Sequence, residues 1–434
     1  MSDVSYVRSK MLSEQTPPLT SVGIIGWMRA NLFSGWLNSL LTLASLAFLY
    51  MVLSVILPWA ISPTWRAASL TECREILAAD GRTGQFGGAC WGVIRDRWVQ
   101  LFMGFYPKES YWRPILSFVM LFLALGPVLF ADKVPPKLVW VSVAFPFVMP
   151  WLLWGGSVWV PIMVAAGFVI GYFVNAAVAK AAGSLAGILA AVAAAVIWWL
   201  FVSGAVSGAL ASIIPIGLEP VISRDFGGLV LSLTIGVVAI GFSLPIGVVL
   251  ALGRQSDLLI VKTLCVGFIE FIRGVPLITL LFVASTLLNV FLPPGTNFDI
   301  IMRVIIMATL FASAYMAEVI RGGLAALPKG QYEGADSLGL NYWQAQRLVI
   351  MPQALKISIP GIVGTFIGLF KDTTLVSVIG LLDPLGLSNA IRADQSWNGI
   401  VWELYGFIAL MFFVFCFGMS RYSMYLERKL QTGH

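Results

Sequence analysis

Between residues 138 and 218 the chain carries a single charged side chain, Lys180. A helix in water needs a polar stripe opposite its apolar one, and this stretch offers none; a helix apolar on every face belongs in a bilayer. The hydrocarbon core is about 30 Å thick, which asks for roughly 20 apolar residues per helix. Gly155-Gly156-Ser157 and Ala182-Gly183-Ser184 divide the stretch into three helices of that size. Along the whole chain about ten such runs can be read, at 36–61, 114–130, 138–154, 158–179, 183–206, 229–252, 266–292, 302–316, 358–382 and 404–419. Of the 434 residues 59% are hydrophobic and 11% charged, against about 25% charged in soluble domains. That balance excludes a soluble globular protein and a disordered one alike. The expected fold class is an all-α, polytopic transmembrane helical bundle.

Short basic connections face the cytoplasm. With Arg8, Lys10 and Arg29 placed inside, alternation puts Lys133 with Lys137, Lys180, Arg254 with Lys262, the residues from Arg321 to Lys356 and those from Arg421 to Lys429 on the same side. An even number of crossings returns both termini to the cytoplasm. Segment 62–113 falls outside although it holds Arg66, Arg74, Arg82, Arg95 and Arg97. Glu72, Glu75, Asp80 and Asp96 are interspersed there, and a segment of about 50 residues constrains orientation weakly. Cys73 and Cys90 lie in it, where an oxidising compartment permits a disulfide as readily as two free thiols. Cys265 and Cys416 read as packing residues. The polar tail 1–35 and the long first run, with Pro58 and no small-residue cleavage site after it, read as a retained helix.

Several chemistries lack candidates. The single histidine is His434, so a triad or proton relay built on histidine has no member inside the chain. The four cysteines show no C-x-x-C spacing, and no metal site is expected. The net charge of +6 comes from basic residues scattered in short gaps between apolar runs, the pattern of a membrane protein and not of a nucleic-acid binder. No G-x-x-x-x-G-K-[ST] loop occurs, so the chain cannot cradle a triphosphate itself.

The long connection 322–357 is the most informative polar segment. Pro328 suits a first helical position, Tyr332, Ala335 and Leu338 share a face at i, i+3, i+6, and Gly339 offers a stop. Asn341 then supplies an N-cap with Gln344 three residues on, and a second short helix with Trp343 and Leu348 runs towards Pro352. Two short helices below the membrane, with a glycine break between them, are expected.

Glu333-x-Ala335, Gly339 after a short spacer, then Ile350-Met351-Pro352 resembles the "EAA…G…I-LP" coupling loop of bacterial ABC-importer permeases. The flanking Glu318-Val319-Ile320-Arg321-Gly322-Gly323, Leu369-Phe370-Lys371-Asp372-Thr373-Thr374-Leu375 and Phe268-Ile269-Glu270-Phe271-Ile272-Arg273-Gly274-Val275-Pro276-Leu277 resemble the polar amino-acid branch of that family. The similarity covers about 226–426, a five-helix unit. The preceding half, 36–225, with about five more helices, the external loop 62–113, Gly88-Ala89-Cys90-Trp91 and Gly104-Phe105-Tyr106-Pro107, is similar to the long permease subunits of glutamate/glutamine/aspartate/asparagine, or general L-amino-acid, uptake systems. One departure is Gly334, where the usual motif has alanine; in a helix glycine costs roughly 1 kcal/mol.

The resemblance implies a type I ABC importer permease core with extra N-terminal helices and a short cytoplasmic tail at 427–434, placed in a bacterial inner membrane. Its coupling residues would be Tyr332, Glu333, Gly334, Ala335, Gly339 and Pro352. No cofactor is expected on the chain itself; ATP and magnesium would sit on two copies of a separate ATP-binding subunit. Further partners implied are a second permease subunit, a periplasmic binding protein, membrane lipid and a polar amino-acid substrate.

Ionisable groups at membrane depth are costly. Glu270 with Arg273, and Glu318 with Arg321, stand at i, i+3, where each pair can neutralise itself; pairing or snorkelling competes with a pathway role for Glu270 and Arg273. Lys371, Asp372 and Thr373 sit deep in the ninth run. There Lys371 would meet a substrate carboxylate, Asp372 an ammonium and Thr373 a hydrogen-bond partner, the rival being an internal Lys–Asp pair that bridges to the other permease. Trp36, Trp59, Trp65, Trp140, Trp198 and Trp402 read as an interfacial belt. Ala176, Ala177, Ala179, Ala181, Ala182, Gly183 and Ala186 read as close-packing positions. An ion-coupled secondary transporter is the alternative class, and it would show paired inverted repeats with broken helices in both halves. A membrane-embedded enzyme would need a catalytic cluster that the chain does not offer.

Overall fold

The computed structural model describes residues 22–61, 64–83, 87–287 and 298–431. Arg8, Lys10, the end of the seventh apolar run at 288–292 and His434 lie outside them. The chain divides into two compact units, 1–93 and 94–434.

The first unit holds α1 (Gly23–Asn31), α2 (Trp36–Ile61) and α3 (Leu70–Ala79). Ser69 caps α3 by accepting the Glu72 N–H. Cys73 of α3 is joined to Cys90 by a disulfide with the Cα atoms 6.0 Å apart, and both residues are buried. The Trp91 ring packs beside Trp59 and Trp65, and its indole N–H donates to the Ala60 carbonyl, 3.3 Å.

The second unit is a helical bundle. Its helices are α4 (Gly92–Met103), α5 (Trp112–Leu129), α6 (Val139–Trp154), α7 (Trp159–Ala182), α8 (Ser184–Ile213), α9 (Gly228–Arg254), α10 (Leu259–Gly274) and α11 (Leu277–Leu287). They are followed by α12 (Ile300–Ala325), α13 (Lys329–Ser337), α14 (Tyr342–Ile379), α15 (Pro384–Ala393) and α16 (Trp402–Gln431). Among the described residues nine helices are long and apolar enough to cross a membrane, or ten if the bent pair α10–α11 counts as one crossing.

The three-helix reading of 138–218 agrees with α6, α7 and α8. The breaks fall at Gly155–Gly156 and at Gly183, all at positive φ. A two-residue antiparallel bridge, β1 (Gly156–Ser157) with β2 (Gly217–Leu218), closes this trio and has no signature in the sequence. Gly187 of α8 lies against Ala179 of α7, the close approach that the small residues suggest. Trp198 departs from the belt reading: it lies midway along α8, and its indole N–H donates 2.8 Å to the Met163 carbonyl. An indole N–H held in an apolar interior must find an acceptor, and the start of α7 supplies one.

Two other expectations need correction. The seventh run, 266–292, is not a straight crossing: α10 begins earlier, at Leu259, and turns by 100° into α11. Val275-Pro276 makes the turn, because the proline lacks the N–H that would continue the helix and disfavours helical geometry in the residue before it. The run 302–316 is part of the longer α12, whose N-cap Asp299 accepts from the Ile301 and Met302 N–H groups. That run contains a charge the sequence reading passed over. Arg303 is 8% exposed and donates to the Ser285 carbonyl, 3.1 Å.

An apolar cluster joins Leu121 of α5, Phe145 of α6, Ile235 of α9 and Val304 of α12, so helices from both sides of residue 225 share one core. One end of this bundle is stitched together by short contacts. Gly104 bridges Phe226, Gly227 bridges Leu382, the Trp397 indole donates 2.9 Å to Asp96, and Arg97 pairs with Asp394 at 3.2 Å. The opposite end carries α13.

Candidate functional site

The α13 segment is positioned by both of its neighbours. Its inner face presents Ala335, 2% exposed, and half-buried Tyr332 to a cluster containing Ile320, Leu324, Leu327, Ile350 and Ala354. Burial pushes the Tyr332 phenol above its ordinary range, so it stays a neutral hydroxyl. The Gln353 amide of α14 donates to the Gln331 side-chain oxygen, 2.9 Å, a polar tie between the two helices.

Gly339 ends α13 at φ +69°, with Gly339 N–H bonded to the Asp336 carbonyl and Leu340 N–H to the Ala335 carbonyl. This is a Schellman ending, which needs a left-handed residue. The Asn341–Gln344 capping box is formed in both directions, each bond 3.0 Å. Pro328 is the N-cap and not the first helical residue. Leu338 does not share the buried face of Tyr332 and Ala335: as the residue after the last helical position it swings outward and is 78% exposed.

The second short helix does not stop at Pro352 as the sequence suggests. Tyr342 opens α14, which passes Pro352 and runs into the bundle. A proline ring inside a helix clashes with the carbonyl four residues earlier, and here a π turn at Gln346–Ile350 widens the backbone just before it. Because α12 extends to Ala325 and α14 starts at Tyr342, the connection outside the spans shortens from 322–357 to 326–341. The outer surface of this connection carries Glu333 and Gly334 together with Leu338, and it continues onto the first turns of α14 with Tyr342 (53% exposed), Trp343 (70%) and Leu348 (64%).

A charge cluster stands at the same end of the bundle. Arg254 Nη1 lies 3.0 Å from Glu270 Oε1 and 2.5 Å from Glu318 Oε1; Arg273 Nη1 lies 3.6 Å from Glu318 Oε1, and Arg321 Nη2 2.9 Å from Glu318 Oε2. The Arg273 guanidinium also sits over the Tyr315 ring, 5.5 Å from its centre. The Glu318–Arg321 pair is therefore local as expected, but Glu270 and Arg273 do not neutralise one another. Each reaches to another helix instead, and Arg254, read in the sequence only as part of a basic connection with Lys262, joins them.

Lys371, Asp372 and Thr373 are placed where the α-helical part of α14 tightens into 3₁₀ turns at Thr373–Ile379. Lys371 is exposed, Asp372 half-buried and Thr373 buried with its hydroxyl donating to the Phe370 carbonyl, 2.7 Å. Among the described residues no ion pair joins Lys371 to Asp372, and no hydrogen bond or ion pair links them to Glu270 or Arg273. The five residues assigned to a pathway are thus divided between two places.

Residues 243–432 match the family described as binding-protein-dependent transport system inner membrane component. The glutamate/glutamine/aspartate/asparagine transport system permease protein BztC of Rhodobacter capsulatus is 58% identical over 100% of both chains. The inner membrane amino-acid ABC transporter permease protein YhdY of Escherichia coli is 38% identical over 94% of this chain and 93% of its own. A crystal structure of an amino acid ABC transporter with histidines aligns at TM-score 0.42 and 32% identity, over 46% of this chain and 91% of that one. With relatives matched along essentially their full length, the chain belongs to the permease family of amino-acid ABC transporters, transport subunits whose ATPase is a separate chain.

Proposed function

We propose that this permease subunit imports glutamate, glutamine, aspartate and asparagine across a bacterial inner membrane, working with a related second permease, two ATP-binding subunits and a periplasmic binding protein. ATP and magnesium act on the partner subunits, and both termini of this chain are cytoplasmic. The 58% identity to a permease named for those four amino acids supports the substrate set.

The observation that carries the coupling role is the outer surface of α13 and the start of α14. Leu338 on the connection, and Trp343 and Leu348 in the first turns of α14, are large apolar side chains left more than 60% exposed, while Ala335 and Ile350 behind them are fully packed. Exposed apolar patches on a rigid support mark docking sites. A groove in one of the two ATP-binding subunits takes this surface, with Glu333 at its rim. Closure of those subunits on ATP moves α13, and α13 moves α12 and α14, to which it is packed.

The test is Trp343→Asp combined with Leu348→Asp. Neither side chain supports the core, so the variant is expected to reach the membrane in normal amount, to lose co-purification with the ATP-binding subunit and to lose uptake. Stoichiometric co-purification together with wild-type uptake would remove the docking assignment.

A further inference from the structure

We infer that Glu318, with Arg254, Glu270, Arg273 and Arg321, is an ionic coupler that transmits movement of α13 to the bend between α10 and α11. This rests on α13 being the docking element proposed above. The starting point is the charge count: three guanidiniums surround two carboxylates, and Glu318 takes three of the four contacts. Its side chain is 16% exposed, against 55% for Glu270. Partly enclosed pairs are screened far less than surface ones, and removing the shared anion leaves three guanidiniums with only Glu270, through Arg254, to balance them. Glu318 is therefore the hub, and Glu270 a peripheral member.

The placement of the members gives the hub its purpose. Arg254 is the last residue of α9. Glu270 and Arg273 occupy the last turns of α10, and Arg273 stands immediately before the break at Gly274–Leu277 where the chain turns by 100°. Glu318 lies seven residues before the end of α12, about 10 Å along the axis at 1.5 Å per residue, and α13 follows three residues after that end.

The apolar contacts agree with this route. Ile320 and Leu324 of α12 share a cluster with the α13 residue Tyr332, and Ile269 of α10 belongs to the same cluster. Beyond the break, Leu277 and Leu281 of α11 pack with Ile301 and Val304 at the far end of α12. A helix such as α12 moves as a rigid body, whereas a Val-Pro break bends easily because it has no continuous hydrogen-bond ladder. One direct ion pair, Arg273–Glu318, and a second route through Arg254, which meets both Glu270 and Glu318, tie the near side of that soft point to the rigid helix. Displacement of α13 then reaches α11 as a change of angle at the break and is not lost in bending.

The readout is amino acid imported per ATP hydrolysed, measured with the complete transporter and its binding protein in proteoliposomes. Glu318→Gln keeps the shape and removes the charge. It is expected to lower that ratio about tenfold, within the usual range of coupling between sites, while ATP hydrolysis stays close to wild type. Glu318→Asp should recover much of the ratio, and Glu270→Gln should change it little. A parallel fall of import and hydrolysis in assembled Glu318→Gln transporter, leaving the ratio unchanged, would overturn the coupler. If Glu318→Gln does not assemble, Arg273→Gln takes its place, since it removes one long contact from a side chain 34% exposed; an unchanged ratio there overturns it equally. Loss of ATPase co-purification in the Trp343/Leu348 variant is a separate result, so failure of the docking assignment and failure of the coupler are told apart.

Discussion

Gly339 and Gly334 lie on the same short helix and have opposite consequences. At φ +69° Gly339 holds a left-handed conformation, and an L side chain there costs about 1 kcal/mol or more although nothing stands within 4 Å of the added Cβ. Gly334 sits in the middle of α13 with ordinary helical backbone and open space around it. Alanine there removes unfolded-state freedom and should stabilise the helix by about 0.5–1 kcal/mol. Amide hydrogen exchange over Lys329–Ser337, followed by mass spectrometry, is expected to slow several-fold in Gly334→Ala and to speed up several-fold in Gly339→Ala; the same sign for both would refute this account. These positions were legible because a helix ending and a capping box are written within three or four residues of one another. Asp383 is a third residue whose surroundings decide its behaviour. It is fully buried, caps α15 through the Leu385 and Gly386 N–H groups, and burial raises its carboxyl from 3.8 to about 6 against the opposing effect of those bonds. With the folded value above the unfolded one, its stabilising contribution is complete below pH 3.8 and is lost as pH rises through 6, a span worth about 3 kcal/mol at most. Asp383→Asn keeps the cap and cannot ionise, so its thermal midpoint relative to wild type should rise between pH 4 and pH 7; a constant difference across that range would exclude the titration.

Contacts between helices were far less readable than the helices themselves. Periodicity and charge-free length locate a span, but the partner of Glu270 depends on how α9, α10 and α12 come together, with Arg254 sixteen residues away in sequence and Glu318 further still. The same holds for the α12–α14 contact. Gly323 of α12 faces Ser358 and Ala354 of α14 so closely that a Cβ would lie 2.1 Å from the Ser358 hydroxyl oxygen and 2.5 Å from the Ala354 carbonyl oxygen. The hydroxyl can rotate away and the carbonyl cannot. Small residues at such crossings let two helices share a surface in a bilayer, where no hydrophobic force drives them together. In the sequence Gly323 is only part of a glycine pair with Gly322, and Gly322 has nothing near it. Gly323→Val is therefore expected to lower the thermal midpoint of the detergent-solubilised transporter by several degrees and to depress uptake, while Gly322→Ala leaves both near wild type. Equal effects at the two positions would show that backbone freedom and not helix approach matters there.

At the scale of the whole molecule, the stitched end of the second unit brings the connections at 104, 226, 382 and 394–397 to the same side of the bundle. The α13 end instead gathers Arg254, Arg321, Lys329, Arg347 and Lys356. On the proposed orientation, with short basic connections in the cytoplasm, α13 is expected inside and the stitched end outside. The arginines of segment 62–113 run against that rule, and part of the reason they are tolerated is visible: Arg97 lies 3.0 Å from Asp96 and 3.2 Å from Asp394, so its charge is balanced where it stands. Substituted cysteines test the assignment in intact cells with a membrane-impermeant maleimide, in a background where Cys265 and Cys416 are serine. Lys108→Cys, Glu219→Cys and Ser396→Cys, all at exposed positions on the stitched side, are expected to label from outside. Lys329→Cys, Asn341→Cys and Arg347→Cys, exposed around α13, are expected to label only after permeabilisation. Labelling of the second set in intact cells would invert the molecule and leave α13 out of reach of any cytoplasmic ATPase.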